Sequence, residues 1–241
     1  MNAAVSIEVA DLMFAYTSGG FQLQIPRLQV RAGGRTAIVG PSGSGKTTLL
    51  HLLAGVLVPA QGCIRMGSVE LTRWTDSARR AFRLLNMGLV FQEFELLEHL
   101  TVFENLLLPC RLHRAVRPNA ERRQRVHQLA DVLGLKDKLS RYPRALSQGE
   151  RQRVAVGRAL LLEPSVILAD EPTGNLDPAT KELVLNLLLQ RAHIGRSTVV
   201  IATHDYQLLE HFDQVVQMDQ LTQWHVAGPT AQSSIKPTQL S

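Results

Sequence analysis

The sequence predicts an α/β core built on a largely parallel sheet, with an antiparallel β sub-lobe and an inserted helical sub-lobe. Three observations carry that prediction. Short apolar strands at residues 36–39, 166–169 and 197–202 are interleaved with helical segments, and strand–helix alternation of this kind builds parallel sheets. Residues 5–32 alternate apolar and polar, with Ile7, Val9, Phe21, Leu23 and Ile25 on the apolar positions, the period of antiparallel strands. Residues 93–165 switch to helical spacing, through Leu106, Leu107 and Leu108 and then Val126, Leu129, Val132 and Leu133.

The elements follow in chain order. The first two strands meet at a turn at Ser18-Gly19-Gly20. The strand at 36–39 enters a Gly-rich loop and then a helix over 46–53. A strand at 62–66, a helix over 75–85 and a strand at 87–91 come next. Residues 166–169 form a continuous apolar run, as expected of a strand buried on both faces. A helix over 178–193 opens on Pro178, a residue suited to a first helical position. Residues 228–241 are polar with two prolines and read as a mobile tail. There is no internal repeat.

The chain has 241 residues, enough for one good-sized domain or one domain with a sub-lobe. Its net charge of +5 suits a nucleic acid, an anionic membrane surface or a phosphate ligand and does not choose among them. The densest cationic stretch holds Arg111, Arg114, Arg117, Arg122, Arg123 and Arg125 against Glu121. It reads either as a solvated helix face and loop or as a surface toward lipid headgroups or an acidic partner. Cys63 and Cys110 are isolated and form no CxxC pair, which points to a reducing compartment. The N-terminus lacks a basic start followed by an apolar stretch, and no apolar run reaches about 18 residues. Any work at a membrane is therefore expected from the cytoplasmic side, through a partner.

Gly40-Pro41-Ser42-Gly43-Ser44-Gly45-Lys46-Thr47 matches G-x-x-x-x-G-K-[ST] at every position. Small residues let backbone N–H groups turn inward around phosphate oxygens. The helix that starts near Lys46 directs its positive end at the same anion. Lys46 supplies a full charge for the β- and γ-phosphates, and Thr47 a hydroxyl for Mg²⁺. The alternative, a chance Gly/Ser-rich turn beside a surface lysine, must explain eight matched positions and both flanks.

Residues 166–170 form an apolar strand that ends in Asp170. A hard cation wants oxygen ligands, and a carboxylate at that strand end can sit beside Thr47. Glu171 follows at once and could orient or deprotonate an attacking water. The competing reading makes the pair a loop that caps a helix.

Leu146-Ser147-Gln148-Gly149-Glu150, followed by Arg151-Gln152-Arg153-Val154-Ala155, resembles the LSGGQ signature and following helix of ABC ATPases. Other stations of that family then fall into order over about residues 5–220. Tyr16 resembles the aromatic that stacks on adenine, and Gln92 the Q-loop glutamine, a Mg²⁺ and water ligand. Asp177 in Gly174-Asn175-Leu176-Asp177 resembles the D-loop aspartate, and His204 the switch histidine that bonds the γ-phosphate. The resemblance implies a RecA-like phosphate-loop NTPase core and one ATPase domain over residues 5–227, with its helical sub-lobe at about 93–165. The cofactors it implies are ATP and Mg²⁺. Nucleotide-binding residues would be Tyr16, Gly40 to Thr47, Thr48, Ser147, Gly149 and Asp177, with Lys46, Gln92, Glu171 and His204 catalytic and Thr47, Gln92 and Asp170 around the metal. It also implies a head-to-tail dimer. Ser147 and Gly149 of one subunit would bind the γ-phosphate held by the other, and separate membrane subunits would be driven from the cytoplasmic face.

Bland readings stand beside these: Tyr16 as a core aromatic, Gln92 as a local loop amide, His204 as a structural group, Ser147 as a helix cap. Two positions depart from the signature. Gln148 replaces a Gly and cannot take a positive φ cheaply, so either the local conformation is permissive or the signature contact is weaker. Glu150 replaces a Gln and would bring negative charge near the ATP interface. The stretches 91–109 and 169–177 are similar to the branch of lipoprotein-release, macrolide-export and cell-division ATPases. Two other readings stay open: an ABC-type ATPase acting on DNA or ribosomes, and a signalling ATPase coupled to a membrane partner.

Overall fold

The period-two pattern of residues 5–32 becomes the antiparallel pair β1 (Ile7–Ala15) and β2 (Gln22–Val30) in a computed structural model of the protein. The structure describes residues 3–17, 20–174, 176–194 and 196–221. Ser18 and Gly19 of the expected turn, and the expected tail at 228–241, lie outside the described residues. β4 (Gln61–Met66) pairs with the other side of β1, and the two-residue β5 (Val69–Glu70) with β4, in the order β2-β1-β4-β5. Pro26 lies in β2, an edge strand, where a missing N–H is tolerated.

The second sheet is parallel throughout. It holds β3 (Arg35–Val39), β6 (Met87–Val90), β7 (Val166–Asp170), β8 (Thr198–Thr203) and β9 (Gln214–Gln217) in the order β6-β7-β8-β3-β9. β8 therefore lies between β3 and β7. The loop after β3, the Asp170–Glu171 turn after β7 and His204 after β8 all leave from the same sheet end, where open α/β sheets bind ligands.

β7 is buried over its whole length, and its side chains alternate between two clusters. Val166 and Leu168 pack with the antiparallel sheet and with α1 (Lys46–Leu53). Ile167 and Ala169 pack with the helices on the opposite face. The parallel sheet is thus the wall between two apolar clusters.

The segment between β6 and β7 is helical as expected. It runs through α3 (Val102–Leu107), α4 (Pro109–Leu112), α5 (Ala120–Val132) and α6 (Gln148–Leu160), after α2 (Asp76–Asn86) has preceded β6. α6 packs on β6 as well as on α3 and α5. Its Val154, Val156 and Leu160 therefore share one cluster with Leu106, Val126, Ile167 and Val199. α7 (Pro178–His193) is capped by Asp177, and α8 (Met218–Leu221) follows β9. The arginine run is partly structural. Arg111 pairs with Glu104 at 3.4 Å, Arg125 pairs with Glu163 at 3.0 Å, and Arg122 donates to the Arg117 carbonyl at 2.5 Å. Among the described residues, no helix is long and apolar enough to cross a membrane.

Candidate active site

The loop between β3 and α1 is shaped by glycine. Gly43 and Gly45 hold φ of 79° and 94°, and Gly45 is the N-cap of α1, a left-handed conformation that costs a side-chain-bearing residue about 1–2 kcal/mol. The turn is closed by the Ser44 N–H donating to the Pro41 carbonyl at 3.2 Å. Lys46 Nζ donates to the Gly40 and Pro41 carbonyls at 2.8 and 3.1 Å, so its head group lies over the loop with a third donor left for an anion. Ser44 is buried, and among the described residues its Oγ has no hydrogen-bond partner.

Thr47 Oγ1 donates to Asp170 Oδ2 at 2.6 Å. The hydroxyl at the start of α1 and the carboxylate at the end of β7 thus meet at one point. Glu171 is the next residue, at a left-handed φ of 47°. Its N–H donates to the Ala202 carbonyl of β8 at 2.9 Å, and its own carbonyl accepts from the Gly174 N–H at 3.1 Å. A strained non-glycine residue held by its surroundings is a mark of functional sites. Its Oε1 lies 2.8 Å from His204 Nδ1; the Glu171 side chain is 12% exposed and the imidazole 73%. The carboxylate is sheltered while the imidazole faces outward.

These groups line a cleft of about 760 Å³. On its wall are Tyr16, Ser42, Gly43, Gly45, Lys46, Thr47, Thr48, Gln92, Asp170, Glu171 and His204, so most of the residues expected from sequence converge. Gly40 and Pro41 contribute the carbonyls under Lys46. Tyr16 is not a core aromatic. It is 41% exposed at the cleft wall, packs edge-on against Phe14 at 4.8 Å, and its hydroxyl lies 3.2 Å from Thr48 Oγ1.

Ser147, Gly149 and Asp177 do not line this cleft. Ser147 caps α6, with its Oγ accepting from the Glu150 N–H at 3.3 Å and its N–H donating to Glu150 Oε2 at 2.8 Å. Of the two readings of Gln148, the permissive local conformation holds. Gln148 is the first residue of α6 and holds no positive φ, so a side chain there costs nothing in conformation. The negative charge expected at Glu150 is present and is paired. Burial raises the pKa of this carboxyl, but the Lys138 ammonium at 2.9 Å and the Ser147 N–H outweigh it and hold it below the ordinary range. Asp177 accepts from the Thr180 N–H at 3.1 Å, and its bonds to Thr180 hold its carboxyl below the ordinary range.

Sequence reasoning missed Phe21, Gln152, Thr173, Lys181 and Asp205, which also line the cleft. Asp205 follows His204 directly, and Lys181 lies one helical turn beyond Asp177, so adjacency to a motif was the available signal. Lys181 Nζ donates to Asp205 Oδ2 at 2.7 Å, and this bond, chiefly, lowers the pKa of the Asp205 carboxyl.

A family model described as "ABC transporter" matches residues 23–174. The chain belongs to the ABC transporter family. It is a nucleotide-binding ATPase cassette. The cassette is 42% identical to the lipoprotein-releasing system ATP-binding protein LolD of Legionella pneumophila (strain Lens), over 78% of this chain and 82% of that protein. It is 39% identical to the ABC transporter ATP-binding protein YtrE of Bacillus subtilis (strain 168), over 83% and 88% respectively. Its fold matches the dimeric structure of MJ0796, a bacterial ABC transporter cassette, at a TM-score of 0.80 and 31% identity, over 88% of this chain and 94% of that one. A post-hydrolysis dimer of MJ0796 bound to ADP and Pi matches at 0.80 and 30%, over 88% and 93%.

The oxygen pair Thr47–Asp170 suits a hard cation. Among the described residues, no cluster of three or more His, Cys, Asp or Glu is placed to hold a metal by itself. A cation at this pair would complete its shell with phosphate oxygens and water, the usual habit of Mg²⁺.

Proposed function

We propose that this cassette binds ATP with Mg²⁺ between two copies of itself and uses hydrolysis to drive separate membrane subunits, in the manner of a lipoprotein-release or related extracytoplasmic system. The observation that carries the reading is the split of the motif residues. Lys46, Thr47, Asp170, Glu171 and His204 share one cleft, which Gln148 also reaches, while Ser147, Gly149 and Asp177 lie off its wall and would complete the cleft of a second chain. On this reading residues 5–227 work as one unit.

In such a sandwich the loop N–H groups and Lys46 hold the phosphates. Thr47 and Asp170, with Gln92 nearby, would hold Mg²⁺, which would neutralise charge on the phosphate oxygens. Glu171, fixed by β8 and by His204, orients the water that attacks the γ-phosphorus as the bond to the β-phosphate breaks. His204 reports the γ-phosphate to Glu171 and, through Asp205, to Lys181 on α7. The exposed face of Tyr16 offers a platform for a flat base.

A second cleft of about 640 Å³ offers a place for such a membrane subunit to dock. It lies between α2, α4 and α6, with Leu84, Met87, Leu89, Leu108 and Leu112 on its walls beside Arg80 and Arg83. An apolar floor with a cationic rim suits an amphipathic segment. The same groove reaches Phe91 and Glu95, which flank Gln92, so a partner's movement there has a short path to the nucleotide.

The test is recovery of the tagged Glu171→Gln chain from mild-detergent membranes with Mg-ATP. A co-purifying polytopic membrane protein with an extracytoplasmic domain is expected. Recovery of nucleic acid or ribosomes alone would overturn the transport reading.

A further inference from the structure

Gln152 is a polar side chain only 1% exposed, one turn into α6, at a place where a polar group needs a reason. Its Nε2 donates to the Pro172 carbonyl at 2.6 Å, a direct bond from α6 to the turn that carries Glu171. Its Oε1 is buried and has no hydrogen-bond partner among the described residues, and the side chain reaches the wall of the nucleotide cleft. Glu171 itself is held in a strained left-handed conformation. Two bonds fix its own backbone, to the Ala202 carbonyl and from the Gly174 N–H. The next peptide along, Pro172–Thr173, is held through its carbonyl by Gln152.

We propose that Gln152 is a positioning residue for hydrolysis: by anchoring the Pro172 carbonyl to α6, it sets the orientation of the Glu171 carboxylate. The proposal rests on the reading of Glu171 as the water-orienting group. It also gives α6 two duties. The helix that begins with Ser147, the group presented to the opposite chain, grips the turn of its own catalytic carboxylate five residues later. Engagement of a second nucleotide at the start of α6 then bears on hydrolysis of the first through a single side chain. The donor is the working part, since the acceptor at Pro172 is a fixed backbone carbonyl.

Steady-state ATP hydrolysis and equilibrium nucleotide binding, measured on the full chain for wild type, Gln152→Met, Gln152→Glu and Glu171→Gln, test this. Gln152→Met keeps the volume and loses the donor. It is expected to lower kcat about 10- to 100-fold while KM and the nucleotide Kd stay within about twofold. Gln152→Glu puts an acceptor where the donor stood. A carboxyl so deeply buried titrates above its usual range, and once protonated it can donate to Pro172 again. Its kcat relative to wild type should therefore match that of Gln152→Met at high pH and rise as pH falls. The other titratable groups on the cleft, Tyr16, Lys46, Asp170, Glu171, Lys181, His204 and Asp205, act in both proteins, so the ratio isolates the new carboxyl.

Wild-type kcat in Gln152→Met, a parallel loss of kcat and nucleotide binding, or a ratio that stays flat with pH would each overturn the proposal. Wild-type turnover in Glu171→Gln would instead remove the reading beneath it. A dead Glu171→Gln beside a fully active Gln152→Met would remove the proposal alone.

Discussion

Alanine placed at Gly45 should damage the phosphate loop more than alanine at Gly43, and the size of the gap follows from the structure. Both glycines are left-handed, at φ of 94° and 79°, so each substitution carries a backbone cost of about 1–2 kcal/mol. A Cβ on Gly43 would meet nothing within 4 Å. A Cβ on Gly45 would come within 2.9 Å of Phe21 Cζ and 3.3 Å of Leu23 Cδ1. The Phe21 ring can pivot away, but it packs at 5.9 Å against Tyr16, and overpacking of this kind adds about 1 kcal/mol or more. Gly43→Ala should therefore cost about 1–2 kcal/mol, and Gly45→Ala about 2–3 kcal/mol, as the sum of those two effects. The loop can relieve the strain by shifting, which transfers the cost from folding to nucleotide binding. A loss of 2–3 kcal/mol there weakens binding roughly 30- to 150-fold. Urea unfolding and titration with a fluorescent ATP analogue, on both variants, read the two shares. A Gly45→Ala protein that folds and binds like wild type, or a Gly43→Ala protein that suffers more, would refute the reasoning.

Three further outcomes are expected. Glu150→Gln keeps the cap on α6, since Gln also closes a capping box, but loses the Lys138 ion pair, a loss of under about 1 kcal/mol at neutral pH. Because the folded carboxyl titrates below its ordinary range, the advantage of wild type is complete above the unfolded value and fades as pH falls through the folded one; urea midpoints that diverge toward acid would contradict this. Gly88→Ala on β6 would place a Cβ 2.6 Å from the Ala159 carbonyl and 2.9 Å from Pro164 Cγ. Because a backbone atom blocks it, β6 and α6 must part and stability should fall by about 2–3 kcal/mol, whereas an unchanged urea midpoint would show that this contact is loose. Ser147→Arg should lower turnover while a single chain still binds nucleotide, because Ser147 lies off its own cleft; loss of single-chain binding in a titration would place Ser147 in the wrong site.

Much of this was legible because the chemistry demands residue types at fixed spacing. The helix at Lys46–Leu53 could be read from the Gly-rich loop before it and the apolar run within it, and the all-buried β7 from four residues with no polar interruption before Asp170. β9 was missed because it presents only Val215 and Val216 between glutamines, too short a pattern to stand out, and β5 because two residues carry no period at all. The conformation of Gln148 stayed open in the sequence for a different reason. A family pattern of glycine suggested a left-handed backbone, but Ser147 and Glu150 form a capping box that starts α6 at Gln148. Gln152 could not be picked out as a buried donor, since its partner is a backbone carbonyl twenty residues away that depends on how α6 packs. The left-handed Glu171 was likewise invisible, because the bond from its N–H to Ala202 is made only when β8 lies beside β7.

The central claim is that two of these chains close around ATP and that Glu171 lets them open again. It is tested most directly by light scattering on Glu171→Gln with and without Mg-ATP, with phosphate release followed in the same samples. The account predicts bound ATP, no phosphate release and a mass twice that of a single chain, reverting on nucleotide removal. A single-chain mass with ATP bound, or phosphate release at the wild-type rate, would contradict it.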